Sequence, residues 1–581
     1  MRRSSVRVKA IFYSFFVLAG FLIWRLYAVQ VVEGPWLADK ARSEHSETIE
    51  LQAQRGAIYD REGNAVVRSL PSQSVYATPR AVTDVGDEAT KLALILDVPA
   101  DRLENLLRDT ASTSLLARKV SREKAELLRK HPLAGIYVVP EATGVRYVPS
   151  GHFASTVIGF TGIDENGLDG VEYSFDSVLR GRSGKMVLEE DELGRTVPFA
   201  SPHVLVPAQP GRGVVLTIDS YMQFEAERIL RETVRIRHAA GGTVIVMNPY
   251  DGEVLALANA PDYDIRSFEK YTPDQRRDRA VMDAYEPGST FKLITVAAAL
   301  ESGRVTPDAR FPSLDALTIG GRTIHNAEDG FIAGRGSTES LEDIIAYSHN
   351  VGAAEIALRI GGATLYRMVR AFGFGDRTRI DLPGENPGLV MRPQEWSATT
   401  LPTMAFGHSI SITPLAMIRA YCAIANGGLL VRPRIVRTLA DANGHAVYEY
   451  PPHTERRVIS KRTAAILRRY LRAVVLRGTG YPTAQVPGYA AAGKTGTAQV
   501  AENGVYVPGA YIASFIGMIP AEQPRYVILV KIDKPRGAIY GSVVAAPAFA
   551  ELAKEAMLHA GVMPDVKARL VSRESPLKPS T

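Results

Sequence analysis

Three short runs fall in order along the 581-residue chain: Ser289-Thr290-Phe291-Lys292, Ser348-His349-Asn350 and Lys494-Thr495-Gly496-Thr497. Glu286-Pro287-Gly288 reads as a turn, and Thr290–Leu300, apolar on nearly every face, reads as a buried helix. By position alone Ser289 is an ordinary helix N-cap. Lys292 does not suit that reading. Capping boxes place Glu or Gln three residues on, and a lysine there sits in the positive end of the helix dipole. It also shares a helix face with Ser289. Desolvation and the dipole both favour the neutral amine, which can act as general base and turn Ser289 into a nucleophile. The same helix N-terminus offers a backbone N–H to developing negative charge.

The second run bears on the first through its spacing. Residues two apart do not share a helix face, so Ser348 and Asn350 both reach a cleft from the connection between two helices. A capping serine and a capping asparagine is the plainer alternative. In the third run, strand alternation puts Thr495 and Thr497 on one face, where two hydroxyls suit a substrate carboxylate. Gly496 allows a peptide backbone to approach closely. The backbone N–H groups of Ser289 and Thr497 are expected to form an oxyanion hole. Alternation does not settle where Lys494 points, although its long stem can reach the second run.

Other polar residues make weaker sites. His325, His408 and the remaining histidines lack ligand spacing, so neither a metal nor another cofactor is expected. Asp60, Asp219 and Glu286 read as turn or capping residues. Gly373-Phe374-Gly375 and Gly427-Gly428 read as turns. Cys422, the single cysteine, lies in an apolar run and reads as a buried thiol; alone it forms no intrachain disulfide. The net charge of +6 is mild and no basic stripe is interleaved with aromatics, which argues against nucleic-acid binding.

The elements that must position these residues follow from the apolar pattern. Residues 1–9 form a short basic tail with Arg2, Arg3, Arg7 and Lys9, and 10–32 is long enough for a membrane anchor. Arg25 can snorkel at its far end, and the basic tail is expected to stay in the cytoplasm. A cleaved signal peptide is the competing reading, but no clear small-x-small cleavage site follows the apolar run. Residues 45–206 are mixed and turn-rich, with glycines serving turns and Arg/Glu serving ion pairs between segments. After the linker-like Pro207–Arg212, residues 214–563 run through strands, then helices from Phe291 to about Asn426, then strands again. Thr243–Met247 and Val254–Ala258 read as a hairpin; Ala491–Val500, Tyr511–Ile519 and Tyr526–Ile532 read as strands, with turns at Asn503-Gly504 and Pro520–Pro524. The fold class is α+β: an antiparallel sheet built from both ends of the domain, with a helical subdomain between. Residues 564–581 read as a disordered tail.

The three runs in this order resemble those of penicillin-binding proteins and serine β-lactamases. Arg55-Gly56-Ala57-Ile58-Tyr59-Asp60-Arg61-Glu62-Gly63 resembles the start of the class B pedestal, and a patch from Arg146 through Gly184 resembles the segment leading into the catalytic domain. The chain is thus similar over nearly its whole length to the class B penicillin-binding proteins, most closely the division-specific type. That resemblance implies a transpeptidase domain preceded by a dimerisation-type pedestal and a transmembrane helix. It implies a serine D,D-transpeptidase that cross-links peptidoglycan stem peptides ending in D-Ala-D-Ala, in septal wall synthesis, and is acylated by β-lactam antibiotics. Ser348 would relay protons between Lys292 and Lys494 or the leaving amine, and Asn350 would bond a substrate amide. His349 occupies a variable position, has no assigned role and is expected to face away from the cleft. The implied partners are a SEDS-type lipid II polymerase and other divisome membrane proteins; the implied place is the inner membrane with the catalytic domain periplasmic. Two alternatives stand beside this. A class D-type β-lactamase also carries Ser-Thr-Phe-Lys, but Asn350 and the pedestal oppose it. A non-catalytic penicillin sensor or division scaffold is opposed by the single apolar span.

Overall fold

The computed structural model describes residues 2–37, 46–51, 53–109, 114–140, 144–189, 203–326, 337–502 and 505–564. The expected tail after Pro564 and the turn at Asn503-Gly504 lie outside the described residues. The N-terminal helix Arg2–Tyr27 runs on into a π turn, Ala28–Val32. Its 27 residues from Val6 to Val32 are long and apolar enough to cross a membrane. Phe12, Phe15, Leu22 and Ile23 are exposed along it, as side chains facing lipid would be.

The chain folds as two compact units: 1–54, 72–143 and 181–211 in one, 55–71, 144–180 and 212–581 in the other. In the first, Gln73–Ala77 is the central strand between Ser114–Val120 and Ile136–Pro140, paired antiparallel with both. Three helices, Val85–Leu96, Ala100–Arg108 and Arg122–Lys130, bury Leu92, Leu103, Leu107 and Leu128 against Val75 and Leu116 of that sheet. Asp84 and Ser121 cap the first and third of them by accepting from Asp87 N and Lys124 N.

Two stretches of the 45–206 segment therefore fold with the second unit. Ile58–Tyr59, Ala65–Leu70 and Val145–Tyr147 share a six-stranded sheet with Gly213–Leu216, Val436–Ala440 and Ala446–Glu449. Buried ion pairs fix these stretches. Arg55 Nε donates to Glu172 Oε2 at 2.8 Å and its Nη1 to Asp176 Oδ1 at 2.7 Å. Arg146 Nη2 lies 2.7 Å from Glu172 Oε1. The glycines here serve close packing: a Cβ on Gly159, at φ +77°, would lie 1.9 Å from the Asp169 carbonyl oxygen.

The rest of the second unit is built on a five-stranded antiparallel sheet. In chain order its main elements are α1 (Ser220–Ile236), β1 (Gly241–Met247), β2 (Val254–Ala260), α2 (Lys292–Glu301), α3 (Leu341–Ala346), α4 (Asn350–Ile360), α5 (Pro414–Ala425), α6 (Lys461–Arg477), β3 (Ala492–Glu502), β4 (Val505–Ile519), β5 (Tyr526–Asp533) and α7 (Ala546–His559). The strand order β2-β1-β5-β4-β3 joins the two ends of the domain, as the alternation of strands, helices and strands predicts. Period-two alternation then divides the core. Val244, Val246, Phe515 and Val530 face α1 and α7, whereas Ile245, Met247, Ile516 and Leu529 face the helical part. Each such fully buried side chain contributes about 2 kcal/mol. Helices α2 and α5 are buried on nearly every face, which explains why their sequences carry almost no polar stripe. Cys422 lies within α5, buried as expected.

Asp219 caps α1 by accepting from Met222 N at 3.0 Å, and Asp60 accepts from Glu62 N and Asn64 N in its turn. Glu286 departs from the turn-or-cap reading. Its carboxylate accepts from Ser409 N at 2.8 Å and from Tyr506 OH at 3.0 Å, tying the loop at Ser409 to the start of β4.

Candidate active site

The nucleophile turn is tighter than a plain helix start. Gly288–Phe291 is a 3-10 turn and α2 begins at Lys292, so Ser289 sits inside the turn and is not an N-cap. Gly288 has φ +55°, and a Cβ there would meet the Thr497 carbonyl oxygen at 2.8 Å. Gly288 N donates to Gly407 O at 3.1 Å, Thr290 Oγ1 to Pro287 O at 2.8 Å, and Tyr421 OH to Thr290 O at 2.9 Å. The close approach at Gly288 sets the serine turn against β3, and the Tyr421 bond ties it to α5.

Ser348 lies in the connection between α3 and α4 in the left-handed region, φ +62°, a conformation unusual for a residue with a side chain. Asn350 is not in the connection; it opens α4, with His349 at the cap position. Asn326 holds this helix start by accepting from Asn350 N at 2.8 Å and Val351 N at 3.1 Å. That replaces the capping role given to Asn350 in the plainer reading.

The two lysines meet at Ser348. Lys292 Nζ donates to the Ser348 carbonyl oxygen and, at 2.8 Å, to Asn350 Oδ1, and stands 3.1 Å from Ser348 Oγ. Lys494 Nζ donates to Ser348 Oγ at 2.9 Å. Both lysines are fully buried. Burial holds the Lys292 amine well below the usual lysine range; the charge of Lys494 pushes it the same way and Glu339 opposes them. Among the described residues no hydrogen bond joins Ser289 Oγ to Lys292 Nζ. Such contacts commonly tighten when substrate binds.

A cleft of about 340 Å³ is bordered by Ser289, Ser348, Asn350, Thr495 and Thr497. β3 is the edge strand of its sheet, so one row of its backbone groups is free to face the cleft. Thr495 and Thr497 share the cleft face as alternation predicts. Thr495 Oγ1 is 2.7 Å from Thr479 Oγ1, and Thr497 Oγ1 accepts from Gly541 N at 3.2 Å. Gly496 is glycine for a reason the sequence does not reveal. A Cβ there would lie 2.4 Å from Ser514 Oγ and 3.0 Å from Thr290 Cγ2, so its bare face is turned to the protein.

Several cleft residues carry no signal in the sequence: Thr479, Tyr511, Tyr540 and Gln499 come from separate loops and strands. His408, set aside for want of metal spacing, also borders the cleft, and burial lowers its imidazole below the usual range. His349, expected to face away, borders the cleft too, but its Nδ1 is engaged by the buried Glu339 carboxylate. Among the described residues no cluster of His, Cys, Asp or Glu is placed to hold a metal ion.

A lysine whose pKa burial lowers, three residues from a serine, a second lysine on the Ser348 hydroxyl it approaches, and paired threonines on an edge strand make an acyl-transfer site. The family comparisons agree. Residues 242–554 match the model of the penicillin binding protein transpeptidase domain, and residues 50–216 that of the penicillin-binding protein dimerisation domain. The chain is similar to stage V sporulation protein D of Bacillus subtilis, with 34% identity over 96% of this chain and 87% of that protein. It is similar to the peptidoglycan D,D-transpeptidase FtsI of Escherichia coli, with 31% identity over 94% of this chain and 90% of that one. Among solved structures, penicillin-binding protein 3 of Mycobacterium tuberculosis in complex with aztreonam superposes with a TM-score of 0.68 at 30% identity, covering 89% of this chain and 98% of that one. With both domain models matched in order, and relatives of this identity spanning nearly its full length, the chain belongs to the class B penicillin-binding proteins.

Proposed function

We propose that this protein is a membrane-anchored serine D,D-transpeptidase that cross-links peptidoglycan stem peptides, and that β-lactams acylate it at Ser289. The observation that carries the reading is the Ser348 hydroxyl held between Lys292 Nζ at 3.1 Å and Lys494 Nζ at 2.9 Å, beside a serine at a helix start. Ser289 Oγ attacks the carbonyl between the two terminal D-alanines while Lys292 takes its proton. The Ser289 and Thr497 N–H groups hold the developing oxyanion; one such donor is worth ~10²–10³ in rate. The peptide C–N bond breaks, Ser348 and Lys494 pass a proton to the leaving amine, and terminal D-alanine departs. An amine of a neighbouring stem then attacks the ester, forms the new amide and restores Ser289. Asn350 bonds a substrate amide, and Thr495 and Thr497 bind the terminal carboxylate.

The N-terminal helix serves as a single-pass anchor in the inner membrane, with the basic tail cytoplasmic and the catalytic unit periplasmic. Residues 45–206 serve as the pedestal, 214–563 as the catalytic domain. Likeness to FtsI supports the division-specific type and septal wall synthesis. A SEDS-type lipid II polymerase and other divisome membrane proteins are the partners this type calls for. The transpeptidase match and Asn350 leave the class D-type β-lactamase unfavoured.

Labelling with a fluorescent penicillin tests the reading. Wild type acquires persistent label, Ser289→Ala acquires none, and a donor–acceptor peptide pair is joined by the wild type alone. Rapid loss of label with destruction of the drug means a β-lactamase. Persistent label without peptide joining means a sensor, and unlabelled folded wild type ends the acyl-enzyme reading.

A further inference from the structure

The second run has a buried polar support that the proposed mechanism does not use. Glu339 lies on the short strand Thr338–Ser340, paired with Arg310–Pro312. Its carboxylate is buried and bonds His349 Nδ1, also buried, one residue past the strained Ser348. His349 N donates to Ile344 O at 3.0 Å, closing the end of α3. The backbone has made room for the acid: a Cβ on Gly352 would lie 2.5 Å from Glu339 Oε1. On its other side the imidazole stacks with Tyr347, centroids 6.0 Å apart, and Arg477 lies over that ring at 5.4 Å.

We propose that Glu339 and His349 form a positioning pair that holds Ser348 in its left-handed conformation and so keeps its hydroxyl between the two lysines. Backbone strain persists only where the surroundings over-determine it. At Ser348 the bonds on both sides do so: Lys292 grips its carbonyl, and His349, gripped by Glu339, fixes the next residue. A buried carboxylate with a hydrogen-bonded imidazole is costly to place and rigid once satisfied. Here it lies where rigidity serves proton transfer. The carboxylate also bears on charge: Glu339 acts on Lys292 against burial and Lys494, and burial, with the Glu339 charge adding to it, raises the Glu355 carboxyl on α4 to about 7.

The proposal rests on Ser348 acting in the relay, and the test separates the two. Acylation of the full-length, detergent-solubilised protein by a fluorescent penicillin is timed across the range where lysine titrates. Glu339→Gln is expected to lower the plateau rate ~10-fold, the order of coupling between contacting residues. It should also move the acid limb to lower pH, because a charge that favours protonated Lys292 is gone. His349→Gln, which keeps a donor toward Glu339, retains the rate, whereas His349→Ala loses as much as Glu339→Gln, and the double variant Glu339→Gln/His349→Ala loses no more. An unmoved limb with unchanged plateau, or losses that simply multiply, overturns the pair. If Glu339→Gln does not fold, His349→Gln and His349→Ala decide: equal rates overturn the proposal, a rate kept by glutamine and lost by alanine supports it. Failure of the wild type itself to acylate would instead strike the proposed function.

Discussion

Lys494 Nζ stands 2.9 Å from Ser348 Oγ, although Lys494 alternates with Thr495 and Thr497 and so leaves β3 on the face away from the cleft. Its buried stem brings a second lysine nitrogen to the hydroxyl that Lys292 also approaches. Ser348 is thus the meeting point of three segments more than 50 residues apart in sequence, with Lys292 56 residues before it and Lys494 146 after it.

Removing that hydroxyl separates chemistry from strain. Ser348→Ala should lower the second-order acylation rate by about 10²-fold, the lower range for a positioned proton-transfer group. Ser348→Gly should be equally slow, yet about 1 kcal/mol more stable than Ser348→Ala, since glycine occupies φ +62° without cost. Stopped-flow labelling and thermal melts of the two variants check both halves.

The depressed Lys292 pKa sets a pH dependence of stability. Between the lowered native value and the ordinary lysine value of ~10.4, the unfolded chain holds a proton that the native protein does not. Stability from this group therefore rises with pH through that window. Compared with Lys292→Met, wild type should gain in denaturant midpoint as pH rises from its lowered native value toward the ordinary lysine range. A difference independent of pH would mean that Lys292 is charged in the native state.

Gly496→Ala should displace the nucleophile turn, because the added methyl meets Ser514 Oγ at 2.4 Å and Thr290 Cγ2 at 3.0 Å. Overpacking of this kind costs about 1–3 kcal/mol. Acylation should fall with stability, and Ser514→Ala in the same chain should restore part of both. Substrate approach alone would predict lost peptide turnover with β-lactam acylation and melting temperature intact.

Glu172 is buried between Arg55 and Arg146, with side-chain exposures of 2%, 1% and 7%. Glu172→Ala leaves the desolvated Arg146 without its carboxylate and Arg55 with Asp176 alone, which costs about 3–5 kcal/mol. Melting should drop sharply, while whatever protein remains folded keeps its penicillin reactivity. An unchanged melt would show that the pair contributes nothing.

Local chemistry was legible in the sequence wherever period and residue type act over a few neighbours. The apolar helix after Ser289 placed Ser289 and Lys292 at its start, and the alternation around Lys494–Thr497 set Thr495 and Thr497 on one face. The apolar length of 10–32 marked a helix long enough to cross a membrane, and the order of strands and helices gave the sheet from both ends. Tertiary structure alone decided what depends on distant chain. It turned Lys494 inward, because a long stem follows the cavity and not the strand period. It brought Thr479 and Gly541 against the threonines, set Asn326 as the cap of α4, and placed Glu339 under His349, 10 residues away in sequence but on another element. It folded 55–71 and 144–180 with the catalytic unit, since buried Arg–Glu pairing and sheet edges join segments that no local pattern links. Residue spacing names the groups that can react; desolvation and packing fix which way they point.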